Sequence, residues 1–446
     1  MNIIRGIGLT GLIIKTLPDL VGVHFRDCGG SKSRQLAEMV EHAYRHVPLY
    51  REKYNRAGIS PSDIKGVDDL RRLPVITKQD IVDGYPQKIM ASNLDPQNCI
   101  MVATSGSTGS PLRMYMEPSM VICGLLEGLL RIKRTARRMG IRLGPGVASI
   151  TITSPNSLEA VLTEKMEKMP PFLSRNYHKA DALLPPVAHI EFLNLHQPEM
   201  LFTYPFVMRN IAVAVREGKL VVHQPRLIVL SGELLTENTR HVIAAVFNAP
   251  IINSYISTEG GAIASECPLH NGLHLDPGVI VETLKDGRPA ASGEPGQVVV
   301  TSLKKYATPI IRYAGLGDVA VLSSERCPCG NPHTLMKVIE GRVVDSLVKA
   351  DRAIIHPFSL TLAIEHIPLI ASFRIIQESL AEVRVLVVPE KAAVDAFGHN
   401  GALAARIKQN LSEIIGSGIE VKVETVPFIP DDGIVFNRGV VISRAG

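Results

Sequence analysis

The 446-residue sequence contains no tryptophan and only 5% aromatic residues, so few rings are on offer from which the shape of a substrate pocket can be read. Its six cysteines are too sparse over this length for a disulfide framework. No run reaches the roughly 18 uninterrupted apolar residues of a spanning helix, which argues against a membrane partner. The apolar stretch after Met1-Asn2-Ile3-Ile4-Arg5 stops at Lys15 with no small-residue cleavage site behind it, so a helix is expected there rather than an export signal. A cytoplasmic location follows as an expectation. Charge of one sign is also missing: 48 Lys and Arg face 43 Asp and Glu, a net of +5. Arg131-Ile132-Lys133-Arg134 with Arg137 and Arg138 reads as a solvated helix face, and nucleic acid is not an expected partner.

What remains, 46% hydrophobic and 20% charged, describes a globular protein with a large core and at least one further domain. Helical periodicity covers 34–47 and about 50–57, and the first hundred residues read as helical. From about 98, strand-like runs (99–103, 147–152, 200–203, 226–230, 250–254) alternate with helical stretches (119–139, 158–168, 206–217, 236–247). That alternation implies an α/β layered core. Between 273 and 325 the helical period vanishes into short β runs, predicting a β-subdomain. After Gly341 a β-α-β-β-α-β order predicts a compact α+β unit over 341–446, with strands near 346–348, 370–376, 381–388 and 419–425 and helices near 357–366 and 400–415.

The segment after the first strand, Thr104-Ser105-Gly106-Ser107-Thr108-Gly109-Ser110-Pro111, has the composition of a phosphate cradle: glycines let successive amides turn toward an anion, and hydroxyls add neutral donors. It lacks the Gly-Lys-Ser/Thr ending of a Walker loop. Tyr255-Ile256-Ser257-Thr258-Glu259 follows a buried strand, and its Thr-Glu pair supplies a hydroxyl for phosphate and a carboxylate for a hard cation such as Mg²⁺. Gly317-Asp318 offers a carboxylate for ribose hydroxyls, and Gly341-Arg342 precedes Asp345. Ser231-Gly232-Glu233 is no nucleophile elbow, since the Gly-x-Ser-x-Gly pattern is absent.

This ordered set resembles the adenylate-forming superfamily, and within it the branch of phenylacetate-CoA ligase and coenzyme F390 synthetase-like proteins. Pro48-Leu49-Tyr50-Arg51, Gly58 to Ile64, Leu73 to Lys78, Gly293-Glu294-Pro295-Gly296 and Pro309-Ile310-Ile311-Arg312-Tyr313 carry the resemblance along nearly the whole chain. It implies a large N-terminal domain of α/β layers with a β-subdomain (1–340) and a small mobile α+β domain (341–446). By resemblance, Ser105 to Thr108 handle ATP phosphates, and Gly232, Glu233 and Tyr255 border the adenine. Thr258 and Glu259 serve the phosphate and Mg²⁺, Asp318 binds the ribose, Arg342 approaches the nucleotide and Asp345 is the hinge. The implied reaction is Mg·ATP-dependent activation of an aromatic or other organic acid as acyl-adenylate, with CoA as acceptor, in a homodimer. Tyr204, Phe206 and the region 178–190 are candidate linings of the acid pocket.

The family also places a lysine in the last turn-rich stretch, where its ammonium bridges the attacking carboxylate and the α-phosphate. Here no lysine follows Lys422; the corresponding stretch is Ile429 to Arg438. Ala314-Gly315-Leu316 stands where an Arg and a Thr are usual, and Val344 replaces an acid beside the hinge. Two other readings therefore stay open: an atypical adenylating enzyme of a specialised biosynthetic pathway, or a nucleotide-binding carrier that has lost adenylation.

Cys267-Pro268-Leu269-His270 and Cys327-Pro328-Cys329-Gly330 offer three thiolates and an imidazole, a donor set suited to a closed tetrahedral zinc site that fastens the β-subdomain to the core. His270 is preferred as the fourth ligand, with His274 and His333 as alternatives.

Overall fold

The structure is a computed structural model that describes residues 31–103, 112–144, 147–153, 177–342, 347–350, 354–355, 360, 363–364, 367, 370–389, 400–416, 418–427, 429 and 441–443. Helix α1 (Lys32–His46) begins where the Ser31 hydroxyl accepts from the Arg34 amide at 3.3 Å, and its apolar stripe Leu36, Met39, Val40 and Ala43 is buried. Helix α2 (Pro48–Arg56) opens on a proline that needs no partner for its nitrogen, and α3 (Lys78–Gly84) on a Thr77/Asp80 capping box. Strands β1 (Ile100–Ala103) and β2 (Arg113–Met116) then pair antiparallel in a hairpin of their own, with Ala103 opposite Arg113.

Among the described residues, twelve strands form one continuous sheet. Its parallel half contains β3 (Ser149–Thr153), β4 (Tyr177–Asp181), β5 (Met200–Thr203), β6 (Leu227–Ser231) and β7 (Ile251–Ser257), ordered β4-β3-β5-β6-β7. Every residue of β3 and β6 is buried, as both faces of a parallel sheet require. Side-chain alternation divides the covering. Ile228 and Leu230 join Leu193, Val207, Met208, Ile211 and Ile243 from α5 (Pro186–His196), α6 (Pro205–Gly218) and α7 (Glu237–Ala244). On the other face Leu227 and Val229 meet Leu129, Ile132 and Ala136, which belong to the long helix α4 (Pro118–Arg138), itself starting with proline. The expected helix at 158–168 lies outside the described residues. Among those described, no helix is long and apolar enough to cross a membrane.

The antiparallel half continues through β8 (Gly261–Glu266), β9 (Leu273–Leu275), β10 (Val279–Lys285), β11 (Arg288–Pro289), β12 (Pro295–Ser302), β13 (Asp318–Ser323) and β14 (Leu335–Arg342), in the order β8-β9-β14-β13-β12-β10-β11. The β-rich segment expected at 273–325 is thus wider, 261–342, and not a separate sheet, because β8 turns back directly on β7 and keeps the ladder unbroken. No helix separates these strands, which explains the loss of the helical period. They share a core with the N-terminal helices.

The seam between the two is the segment 309–313. Arg312, 6% exposed and with φ of 50°, places its guanidinium on the Glu282 carboxylate at 3.0 Å and on the carbonyls of Arg71 and Leu73. Tyr50 donates to the Pro309 carbonyl at 2.8 Å and accepts from the Ile311 amide at 3.0 Å.

A separate core is built wholly from residues 347–441. Strands β15 (Leu347–Val348) and β16 (Ile354–Ile355) pair with each other, while β17 (Ile370–Ser379), β18 (Glu382–Pro389), β19 (Glu420–Thr425) and β20 (Val441–Ser443) form a second sheet, ordered β19-β18-β17-β20. A helix at Asn400–Ile415 makes the crossover between parallel β18 and β19. The expected strand at 346–348 is not in this sheet, although the buried Gln377 amide ties it there: it donates to the Val348 carbonyl at 2.7 Å and accepts from the Val348 amide at 2.9 Å.

Replacing Arg312 by alanine leaves Glu282 without its cation and two carbonyls without a donor. Arg312→Ala is expected to cost about 3–5 kcal/mol in a denaturant melt, and a loss below about 1 kcal/mol contradicts the seam.

Candidate nucleotide site and cysteine–histidine cluster

The carboxyl ends of the parallel strands lie at one edge of the sheet, and at β7 the pairing changes from parallel to antiparallel. Loops at such an edge are where open α/β sheets hold ligands. Three carry sequence-predicted residues. After β5 the chain places Tyr204, 6% exposed, with its ring against Gly232 after β6. A Cβ at Gly232 would stand 2.7 Å from that ring, and φ there is +86°, so glycine is required on both counts. Register neighbours Ser231 and Ser254 bring the Gly232-Glu233 turn beside the end of β7, which carries Tyr255.

Glu233 accepts from the Phe206 amide at 3.3 Å, and burial pushes its carboxyl up to about 7. Tyr255 donates to the Asp318 carboxylate at the start of β13. Asp318 in turn lies opposite Arg342 in the β13–β14 register. The structure therefore gathers Gly232, Glu233, Tyr255, Asp318 and the backbone of Arg342 from separate strands.

Thr258 and Glu259 occupy the tip of the β7–β8 hairpin, where Ser257 pairs with Gly261. The Ser257 hydroxyl accepts from the Gly260 amide at 2.7 Å and φ of Gly261 is +76°, which tightens the turn. Glu259 is 9% exposed. Lys305, not singled out in the sequence, donates its ammonium to the Thr258 carbonyl. Burial pushes that ammonium down to about 8, against the opposing fields of Glu259 and Glu117. Its only signal in the sequence is the Lys304-Lys305 pair amid apolar residues. Ser105, Gly106, Ser107, Thr108 and Gly109 lie outside the described residues, as do Asp345, the Arg342 side chain and 431–440; the hairpin pairing of Ala103 with Arg113 marks where the loop 104–111 departs and returns.

The cysteine motifs do meet. Cys267, His274, Cys327 and Cys329 place their ligand atoms within 4.8 Å of one another. Sγ of Cys267 and Cys327 are 3.8 Å apart, far beyond a disulfide of about 2.05 Å and equal to the edge of a tetrahedron with metal–sulfur bonds of about 2.3 Å. Nδ1 of His274 donates to the His333 carbonyl at 3.2 Å, which leaves Nε2, 3.3 Å from Cys329 Sγ, with its lone pair toward the cluster. This corrects the preference for His270. That residue is held away by Glu266, 3.2 Å from its Nδ1, and its side chain is 38% exposed. His274 enters because Gly272, φ +104°, lets β9 approach β14 so closely that a Cβ would be 2.7 Å from the Met336 carbonyl. The cluster has the donor set of a closed tetrahedral zinc site.

No family model matches the chain. It is 25% identical over 340 residues to the phenylacetate-coenzyme A ligase of Thermus thermophilus, covering 71% of each chain. The chain is thus similar in sequence to phenylacetate-CoA ligases, and it shares the fold of an adenylate-forming CoA ligase. Similarity to Protein CapK of Staphylococcus aureus, 23% over 415 residues, extends over 90% of this chain and 86% of that one. The crystal structure of 2-hydroxyisobutyryl-CoA ligase in the postadenylation state, in complex with R3-HIB-AMP, superposes with a TM-score of 0.72 at 20% identity, covering 88% of this chain and 84% of that one.

The Glu233 carboxyl stands above its ordinary value of 4.5, at about 7. Between these values the folded chain holds a proton that the unfolded chain has released, so stability falls as pH rises through that window and levels off above it. Glu233→Gln is expected to abolish this slope and to gain about 1–3 kcal/mol over wild type at pH 8 relative to pH 5. Denaturant melts at the two pH values with equal slopes in both proteins contradict this environment.

Proposed function

We propose that the chain is a Mg·ATP-dependent ligase that activates an organic carboxylic acid as its acyl-adenylate and passes the acyl group to the thiol of CoA. The observation that carries the reading is the bond between Tyr255 and Asp318 at the carboxyl edge, which joins two predicted nucleotide contacts 63 residues apart in the sequence. The Gly232-Glu233 turn beside Tyr255 is the proposed seat of the purine. Asp318, bonded to Tyr255, suits the ribose hydroxyls, and Arg342 approaches from the neighbouring strand.

Phosphates extend from there toward Thr258 and the loop Ser105–Gly109, with Glu259 as the carboxylate for Mg²⁺, which when bound neutralises phosphate charge. A substrate carboxylate oxygen then attacks the α-phosphorus, the bond to the β-phosphate oxygen breaks, and pyrophosphate leaves. Attack of the CoA thiolate on the acyl carbon expels AMP. Catalysis in both steps rests on positioning and on charge neutralisation. Tyr204 and Phe206, stacked with ring centroids 6.1 Å apart beside Gly232, are the proposed wall of the acid pocket. The relatives' names favour this enzyme over a carrier protein.

Zinc held by Cys267, His274, Cys327 and Cys329 is the proposed structural metal. With four protein ligands it leaves no open position for chemistry, and it clamps β8 and β9 to the loop between β13 and β14.

Calorimetric titration of wild type with Mg·ATP is expected to show binding that Asp318→Ala weakens by tenfold or more, and an acid panel is expected to yield acid-dependent pyrophosphate release. No heat with wild type, or an unchanged variant, contradicts the assignment. For the metal, elemental analysis is expected to give about one zinc per chain in His270→Ala and to show its loss in His274→Ala, with a lower melting temperature. The reverse pattern restores His270.

A further inference from the structure

The segment just after β12 contacts the helix Pro118–Arg138, strand β2 and the β7–β8 hairpin. Lys304 holds both oxygens of Glu127, on the helix Pro118–Arg138, at 2.7 Å. The Ala307 amide donates at 3.0 Å to Glu117, the residue that caps that helix, and the Thr308 hydroxyl accepts at 3.0 Å from the amide of Tyr115 in β2. Between these anchors Lys305 donates to the Thr258 carbonyl at the tip of the β7–β8 hairpin, with Glu259 and Glu117 as its charged neighbours. One short stretch thus joins the β1–β2 hairpin to the hairpin that carries Thr258 and Glu259. The ammonium sits where two acids of different elements approach, and it offsets a repulsion that would otherwise part them.

We propose that Lys305 is a positioning residue for the nucleotide triphosphate, holding the Thr258–Glu259 tip against the segment that is anchored to β2 and to the helix Pro118–Arg138. The inference rests on the nucleotide reading above. Lys305 acts through Thr258 and Glu259, so its removal is felt by the β- and γ-phosphates and their Mg²⁺ rather than by adenine or ribose. AMP reports the latter contacts alone, which separates a local effect on the tip from a general loss of structure.

The test is calorimetry on the full chain with Mg·ATP and, separately, with AMP. Lys305→Met is expected to weaken Mg·ATP by about 10–100-fold, the size of a lost charge-assisted hydrogen bond, while AMP affinity changes by less than about twofold. Lys305→Gln, which keeps a donor for the Thr258 carbonyl without the charge, serves where the methionine variant does not fold and is expected to show the same selectivity. Lys304→Met removes the neighbouring ammonium and is expected to leave the ratio of ATP to AMP affinity unchanged. Equal losses for both ligands at Lys305, no loss at all, or the same selectivity at Lys304 overturns the proposal. A wild-type chain that binds AMP and Mg·ATP while the Lys305 variants match it overturns this inference alone; a wild-type chain that binds neither overturns the nucleotide reading and this inference with it.

Discussion

The change of strand direction between β7 and β8 is the constraint on which the site depends. From β3 to β7 the strands of the large sheet run parallel and their carboxyl ends collect at one edge; from β8 to β14 each strand runs antiparallel to its neighbours. Tyr255 and the Thr258–Glu259 tip stand at the reversal, and the antiparallel strands bring Asp318 and Arg342 back to the same edge. A residue order that looks scattered in the sequence becomes one surface because backbone pairing leaves few other ways to continue the ladder.

The β7–β8 hairpin is held at both ends by buried polar groups. At its tip the cation is Lys305. At its base Glu266 accepts from the Asn253 amide at 2.8 Å and from Arg240, both groups being largely withdrawn from water. The cysteine–histidine cluster begins at the next residue, Cys267, and reaches across to the loop after β13. A metal bound there would fix the spacing between β8, which pairs with the strand carrying Tyr255, and the loop that follows the strand beginning at Asp318.

Much of this was legible in the residues. Four of the five parallel strands, β3, β5, β6 and β7, announced themselves as apolar runs between helical stretches, whereas the polar β4 did not; the strand-turn-strand-helix-strand run from 370 to 425 lies close to its expected bounds. Local patterns failed where the outcome depends on long-range packing. The antiparallel half reads as a separate subdomain because its helical period disappears, yet hydrogen bonds across β8 join it to the α/β sheet. Similarly, sequence spacing leaves His270, His274 and His333 all open as the fourth ligand, and it is packing that decides: Glu266 holds His270 aside and the β9–β14 pairing delivers His274. Lys305 has no motif; its role arises from four elements meeting at one loop.

The missing lysine after Lys422 makes nucleotide placement the point on which the account turns, because binding and turnover need not go together here. The most direct measurement is a crystal structure of the chain with AMP. The account predicts ribose hydroxyls on the Asp318 carboxylate and the purine beside Gly232 and Tyr255. A nucleotide seated elsewhere, or displaced from Asp318 with the Tyr255 contact intact, would contradict it.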